Sequence, residues 1–377
     1  VTGPVSTEDA IAKVTMPKWG LSMKSGKITG WLVAEGDEVA EGDELADIDT
    51  DKITGVLESS ESGVVRRIIA ETNEDVPVGG TIALIAPAHV PEELVDEAAR
   101  AAREELDSGA VEEVAGPALG TVQVDGRTLS YATLGTAEET VLLVHGYGGD
   151  KNSWLFVQEP LSTRATVHAI DLPGHGDSTK DVGDGSLDTL AGALLGFLRQ
   201  QGIERVHLVG HSLGGAVVTA AAAREPGKIA SLTLVAPAGY GDAINAGYLR
   251  GFATASSRRE LKPHLVHLFA DPGQVTRQLA DDLMKFKRLD GVQQALDSLL
   301  GTLLDGDRPG IDAAGLLQKF AGPVRVVWGR ADQVLPAANA AALEGRAQVT
   351  YVDDAGHMVH MEQPSAVVDA VTGVLDG

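Results

Sequence analysis

The sequence predicts a multi-domain chain: a small all-β barrel-sandwich of short strands, then a larger α/β unit with a mainly parallel sheet and an inserted helical cap. Three observations predict it. One apolar pattern occurs twice at identical spacing, as Val39, Gly42, Leu45, Ile48 and again as Val76, Gly79, Ile82, Ile85. An acidic stretch over 91–117 separates this unit from the rest. Beyond residue 118, β-rich apolar runs alternate with helix-forming stretches, the rhythm of a parallel sheet covered on both faces.

Composition sets the bounds. At 377 residues and 44% hydrophobic content, the chain has ample length for more than one core. Its 54 acidic and 30 basic residues give a net charge of −24, which repels polyanions, so nucleic acid is excluded as a partner. No apolar run approaches the ~18 residues of a membrane span, and the opening "VTGPVSTEDA" lacks the basic start and apolar stretch of a signal peptide, so a cytoplasmic location is expected and no membrane association. There is no cysteine, so any thiol chemistry must use a thiol from outside the polypeptide.

In the first unit, residues 1–90, the two copies of the repeat imply a small sandwich or barrel with approximate twofold symmetry. Lys52 falls at the joint between the halves: "ELADID" ends a strand, "TDK" turns and "ITGVLES" returns. It is the only lysine between Lys27 and Lys151. Residues 11–88, with "DTDKI" at the turn, resemble the lipoyl domains of 2-oxo-acid dehydrogenase-type complexes and their biotinyl relatives. The biotinyl turn usually has methionines beside its lysine, so the resemblance implies lipoate, covalently attached to Lys52 by a lipoylating enzyme.

The segment 91–117, "PEELVDEAARAAREELDSGAVEEVAGP", holds nine acidic and two basic residues and opens and closes on proline. It reads as an acidic, partly helical linker whose weak apolar stripe (Leu94, Val95, Ala98, Ala99, Ala102, Leu106) favours a solvated spacer over a docking helix.

In the third segment, 118–377, "TVLLVHG", "RVHLVGHSLGG", "PVRVVWGRAD" and "QVTYVDDAGH" are strand candidates that end in glycine or reactive polar residues. Residues 239–320 interrupt the rhythm with Leu-rich, charged helical stretches and read as a cap. Gly210-His211-Ser212-Leu213-Gly214 is G-x-S-x-G between a strand and a helix, the context that raises a nucleophile on a strained elbow. His357 after the last strand can serve as its base and Asp332 as the acid orienting that base, in the order Ser, Asp, His. The backbone N–H groups of Tyr147, in "HGYGG", and Leu213 are candidates for an oxyanion hole. Together these features resemble the α/β-hydrolase superfamily. Asp353 and Asp354 are rival acids, disfavoured because they lie too near His357 in sequence. His145 and His175 read as loop braces and His211 as a packing or pocket residue. No metal is expected: His357 and His360, three residues apart, lack a set of carboxylates nearby.

The two resemblances belong together, because a lipoyl arm carries acyl groups as thioesters and a serine triad attacks them. The lipoyl acyltransferase domain of the ordinary 2-oxo-acid complexes has a histidine four residues before Asp-Gly, and no Asp-Gly here has one. The combination resembles the acetyltransferase components of bacterial acetoin dehydrogenase complexes. That resemblance implies transfer of acetyl from the dihydrolipoyl arm on Lys52 to coenzyme A, in company with a thiamine diphosphate-dependent acetoin-cleaving enzyme and a flavin-containing dihydrolipoyl dehydrogenase. The alternatives are a lipoyl-tethered hydrolase, cleaving thioesters or C–C bonds, and a non-catalytic lipoyl carrier. Homo-oligomerisation is left open.

Overall fold

The computed structural model describes residues 11–17, 23–40, 42–49, 54–59, 61–109 and 116–375. The chain divides into two units, Val1–Pro117 and Ala118–Gly377.

The first unit contains β1 (Ala12–Thr15), β2 (Ser25–Trp31), β3 (Glu38–Val39), β4 (Glu44–Asp49), β5 (Thr54–Glu58), β6 (Gly63–Ile68), β7 (Asp75–Pro77) and β8 (Thr81–Ala86). They form two four-stranded sheets, in the orders β1-β8-β6-β3 and β5-β4-β2-β7. The repeat explains why two similar sheets result. Val39 and Val76 sit in the edge strands β3 and β7, and Leu45, Ile48, Ile82 and Ile85 follow in β4 and β8; all six are buried in one core. Between each valine and its partners the chain turns at Gly42 and Gly79, with φ of +91° and +85°, the left-handed region that glycine enters without strain. β4 and β5 form an antiparallel hairpin in which Asp49 lies opposite Thr54. Lys52, between them, lies outside the described residues.

The acidic segment departs from the expected spacer. Glu92–Ser108 is a 17-residue helix, α1, that buries Val95 and Ala102 in an apolar cluster with Ile69, Leu84, Ala86 and Val90 of the first unit. The weak stripe suffices because β8 is apolar on both faces: its Ile82 and Ile85 fill the inner core while Leu84 and Ala86 need a cover. Ion pairs from Arg67 to Glu92 and Asp96, and from Arg66 to Glu92, join the helix to β6. The helix ends at Gly109, φ +65°.

The second unit is built on one eight-stranded sheet: β9 (Ala118–Val124), β10 (Arg127–Leu134), β11 (Thr140–Val144), β12 (Thr166–Ile170), β13 (Val206–His211), β14 (Ile229–Val235), and, after the two-residue cap strands β15 (Leu304–Asp305) and β16 (Arg308–Pro309), β17 (Val324–Gly329) and β18 (Gln348–Val352). The sheet order is β18-β17-β14-β13-β11-β12-β10-β9, parallel except where β10 meets β12 and β9. The helices α2 (Leu155–Ser162), α3 (Leu187–Gln200), α4 (Leu213–Arg224), α10 (Val359–Glu362) and α11 (Pro364–Leu375) cover it. Between β14 and β17 the cap consists of α5 (Ala246–Thr254), α6 (Arg258–Leu265), α7 (Arg277–Lys287), α8 (Val292–Leu303) and α9 (Ala313–Leu317). The central strands are buried on both faces and read as largely apolar runs, and the polar residues that follow their carboxyl ends gather beneath the cap. No helix among the described residues is long and apolar enough to cross a membrane.

Candidate active site

Ser212 occupies the turn between β13 and α4, with φ +52° and ψ −118°. A serine holds this strained conformation only where its surroundings over-determine it. The two flanking glycines show why they must be small. A Cβ on Gly210 would lie 2.4 Å from the Gly214 carbonyl oxygen, and one on Gly214 would lie 2.3 Å from that of Val144. The turn is further pinned by the Ser212 N–H donating to Val235 O at 3.0 Å. As the first residue of α4, Leu213 has an N–H without an intrahelical acceptor, at the positive end of the helix dipole.

His357 and Asp332 come from the ends of neighbouring strands. His357 Nδ1 donates to Asp332 Oδ2 at 2.8 Å. An ionised carboxylate only accepts, so this bond fixes the proton on Nδ1 and leaves the lone pair on Nε2. Asp332 is itself held in place: Oδ1 accepts from the N–H groups of Val334 (2.8 Å) and Leu335 (2.9 Å), and Oδ2 also accepts from Trp328 Nε1 at 3.2 Å. The rival Asp353 is instead exposed and paired with Arg330.

Glu362 and Leu268 carry no recognisable signal in the sequence, whereas His145, His175 and His211 stand where their sequence context suggested. Glu362 accepts from Gly356 N through Oε2 (2.8 Å) and from Ala270 N, in the cap, through Oε1 (2.7 Å); burial pushes its carboxyl up. The N–H groups of His357 and Met358 both donate to Leu268 O, also in the cap. A single cap segment, 268–270, therefore grips the histidine loop. His211 donates from Nε2 to the His357 carbonyl at 3.0 Å, and burial, before the neighbouring histidines, drives its pKa well below the usual value, so its ring is neutral. His145 and His175 brace loops: their Nε2 atoms accept from Leu172 N and Gly148 N, both at 3.0 Å. His360 is buried against Trp154 and His211, and burial lowers its pKa to about 3.

Ser212 and His357 face one cavity of about 280 Å³ between the strand ends and the cap. Gly146, Tyr147, Gly148 and Gly149 form one wall, and Tyr248, Leu249, Phe252, Leu268, Phe269, Leu279, Leu283 and Phe286 make the cap side apolar. The cavity is lined by two carboxylates, Asp150 and Asp282, and by no arginine or lysine among the described residues.

Known proteins share both units. A family model described as alpha/beta hydrolase fold matches residues 139–364, and one described as biotin-requiring enzyme matches residues 12–85. A protein of Cupriavidus necator named dihydrolipoyllysine-residue acetyltransferase component of acetoin cleaving system is 44% identical over 353 residues, 94% of each chain. A Pseudomonas putida protein of the same name is 44% identical over 360 residues, 95% of this chain and 96% of its own. Among solved structures, a bacterial membrane phospholipase A superposes with a TM-score of 0.61 at 27% identity, covering 76% of this chain and 97% of that one.

Proposed function

Because the chain belongs to the α/β-hydrolase fold family, and within it to the lipoyl-bearing acetyltransferase components of acetoin cleaving systems, we propose that it moves acetyl from a thioester on the arm of Lys52 to coenzyme A through Ser212, His357 and Asp332. The observation that carries this reading is the union in one chain of a hairpin that brackets a lysine and a serine elbow facing an apolar, capped cavity. Lipoate on Lys52 would supply a mobile thiol that bears the acetyl group.

The residues of the chain do the rest. His357 Nε2, its lone pair fixed by the bond from Nδ1 to Asp332, takes the Ser212 proton as Oγ attacks the acetyl carbonyl carbon. The N–H groups of Tyr147 and Leu213 receive the developing oxyanion. Those of Gly148 and Gly149 are committed to His175 and to Gly146 O, which favours Tyr147 as the loop's donor. The departing thiolate takes the proton from His357, leaving acetyl on Ser212. The thiol of coenzyme A then gives its proton to His357 as its sulfur attacks, and Ser212 is regenerated. Exchange of one thioester for another needs little driving force, so the demand on the site is to exclude water, which the apolar cap wall serves. The acetoin-cleaving enzyme, the dihydrolipoyl dehydrogenase and the lipoylating enzyme are the partners this reading needs.

Loss of acetyl from acetyl-dihydrolipoamide, measured with and without coenzyme A, tests the reading: a large acceleration by coenzyme A is expected, and equal rates would make the protein a hydrolase. Rapid quenching without coenzyme A should show acetyl on the Ser212 peptide. Turnover with coenzyme A but no such label, while a slow acyl donor does label Ser212, would mean direct attack by the thiol, which its pKa of ~8.5 makes feasible.

A further inference from the structure

Charge is unevenly spread over the cap: residues 289–317, spanning α8 and α9, hold five aspartates and one arginine. Residues 246–288, spanning α5 to α7, hold eight arginines and lysines and four aspartates and glutamates, a net of +4 in a chain of net −24. The cavity beneath has the opposite character, with Asp150 and Asp282 in its wall and no cation among the described residues that line it. A ligand with a polyanionic end and a neutral chain can therefore put only the chain inside.

Helix α7 joins these two environments. Leu279, Asp282, Leu283 and Phe286, at helical spacing, line the cavity. Lys285 and Arg288 are exposed, and Lys285 Nζ lies 3.0 Å from Asp282 Oδ1, which stations a cation at the rim of the cavity. Helix α6 is tied to α7 by Arg258, 3.1 Å from Asp281, and presents Arg259 and Lys262, one turn apart and both exposed.

We propose that the exposed cations of these two helices, Lys285 beside the cavity and Arg288 of α7 with Arg259 and Lys262 of α6, bind the phosphorylated nucleotide end of coenzyme A, while the neutral pantetheine chain enters the cavity and brings its thiol to Ser212. The inference rests on the acyl-transfer reading and adds to it the place where the acceptor is held. It also accounts for how so acidic a protein recruits a polyanionic cosubstrate: the α5–α7 part of the cap is locally net positive.

The test compares two acceptors, coenzyme A and pantetheine, which share the thiol but not the phosphates. In the full-length Lys285→Glu/Arg288→Glu variant the KM for coenzyme A should rise roughly 10- to 100-fold, the scale of losing one or two charge-assisted contacts, with the KM and kcat for pantetheine unchanged. Added salt should raise the wild-type KM for coenzyme A and affect the variant less. Unchanged turnover with pantetheine reports that the variant is folded; should it fail to fold, Arg259→Glu/Lys262→Glu serves in its place, with the same expectation. A KM for coenzyme A that does not move, or that rises in step with the KM for pantetheine, overturns the proposed site. Wild-type protein that transfers acetyl to neither thiol overturns the acyl-transfer reading itself, and this one with it.

Discussion

Replacing Asp332 by asparagine isolates the orientation of the base from the packing around it. The carboxylate accepts four hydrogen bonds, two at Oδ1 from Val334 and Leu335 N–H and two at Oδ2 from Trp328 Nε1 and His357 Nδ1. Asparagine can keep its carbonyl oxygen toward Val334 and Leu335, because turning it round would leave both of those N–H groups facing a donor. Its NH₂ then occupies the Oδ2 position. Trp328 Nε1 loses little, since it also donates to Leu335 O at 2.9 Å. His357 must now accept at Nδ1, which moves its proton to Nε2 and leaves no base toward Ser212. The fold should lose about 1–3 kcal/mol, the cost of one impaired buried hydrogen bond. Turnover should fall on the order of 10⁴-fold, equivalent to about 5.4 kcal/mol in the barrier, as expected when a triad histidine is held in the wrong tautomer. Single-turnover transfer from an acetyl thioester measures the rate, and urea unfolding measures the stability. Asp353→Asn, which alters only the exposed pair with Arg330, should leave the rate unchanged. A loss of less than ~10-fold in folded Asp332→Asn protein would refute this assignment of the acid, as would an equal loss in Asp353→Asn.

Lys52→Arg should abolish lipoylation, read as loss of the adduct in intact mass; lipoate that persists or appears on another lysine would show that Lys52 is not the attachment site. Trypsin should spare Arg100 and Arg103 while α1 is docked, and Val95→Asp, which puts a charge into the cluster of Leu84 and Ala86, should expose both; equal cleavage of wild type and variant would mean that the helix is not held. Glu362→Ala removes the acceptor of the Ala270 and Gly356 N–H groups and should lower stability by about 1–3 kcal/mol for each, visible as an earlier urea midpoint. His360 and His168, whose pKa values burial lowers to about 3 and about 4, are neutral in the fold but gain protons near pH 6.5 when unfolded. Stability is therefore complete above that pH and is lost as pH falls from about 6.5 toward 4, by about 1.4 kcal/mol per unit for each histidine. Urea midpoints that are equal at pH 7 and pH 5 would contradict this.

Features that rest on local pattern were readable before any fold was known. The repeated Val-Gly-Leu/Ile spacing made two similar half-sandwiches legible, because each glycine permits a turn that other residues resist; bulges at Leu45 and Ile82 then let these residues share one core with Ile48 and Ile85, three positions on. Gly210 and Gly214 announced the elbow, since no side chain fits where another backbone passes within 2.4 Å. Asp332 and His357 stand three and five residues beyond the ends of β17 and β18, in the loops where the strand pattern stops. Tertiary structure alone decided how the segments meet. The acidic stretch carries too weak a stripe to announce a docked helix, yet α1 docks, because the outer face of β8 needs a cover and the arginines of β6 answer its carboxylates. Glu362, His211 and the cap carbonyl of Leu268 support His357 from positions 5, 146 and 89 residues away in the chain, and spacing along a sequence cannot reveal hydrogen bonds between loops that only the closed sheet and its cap bring together.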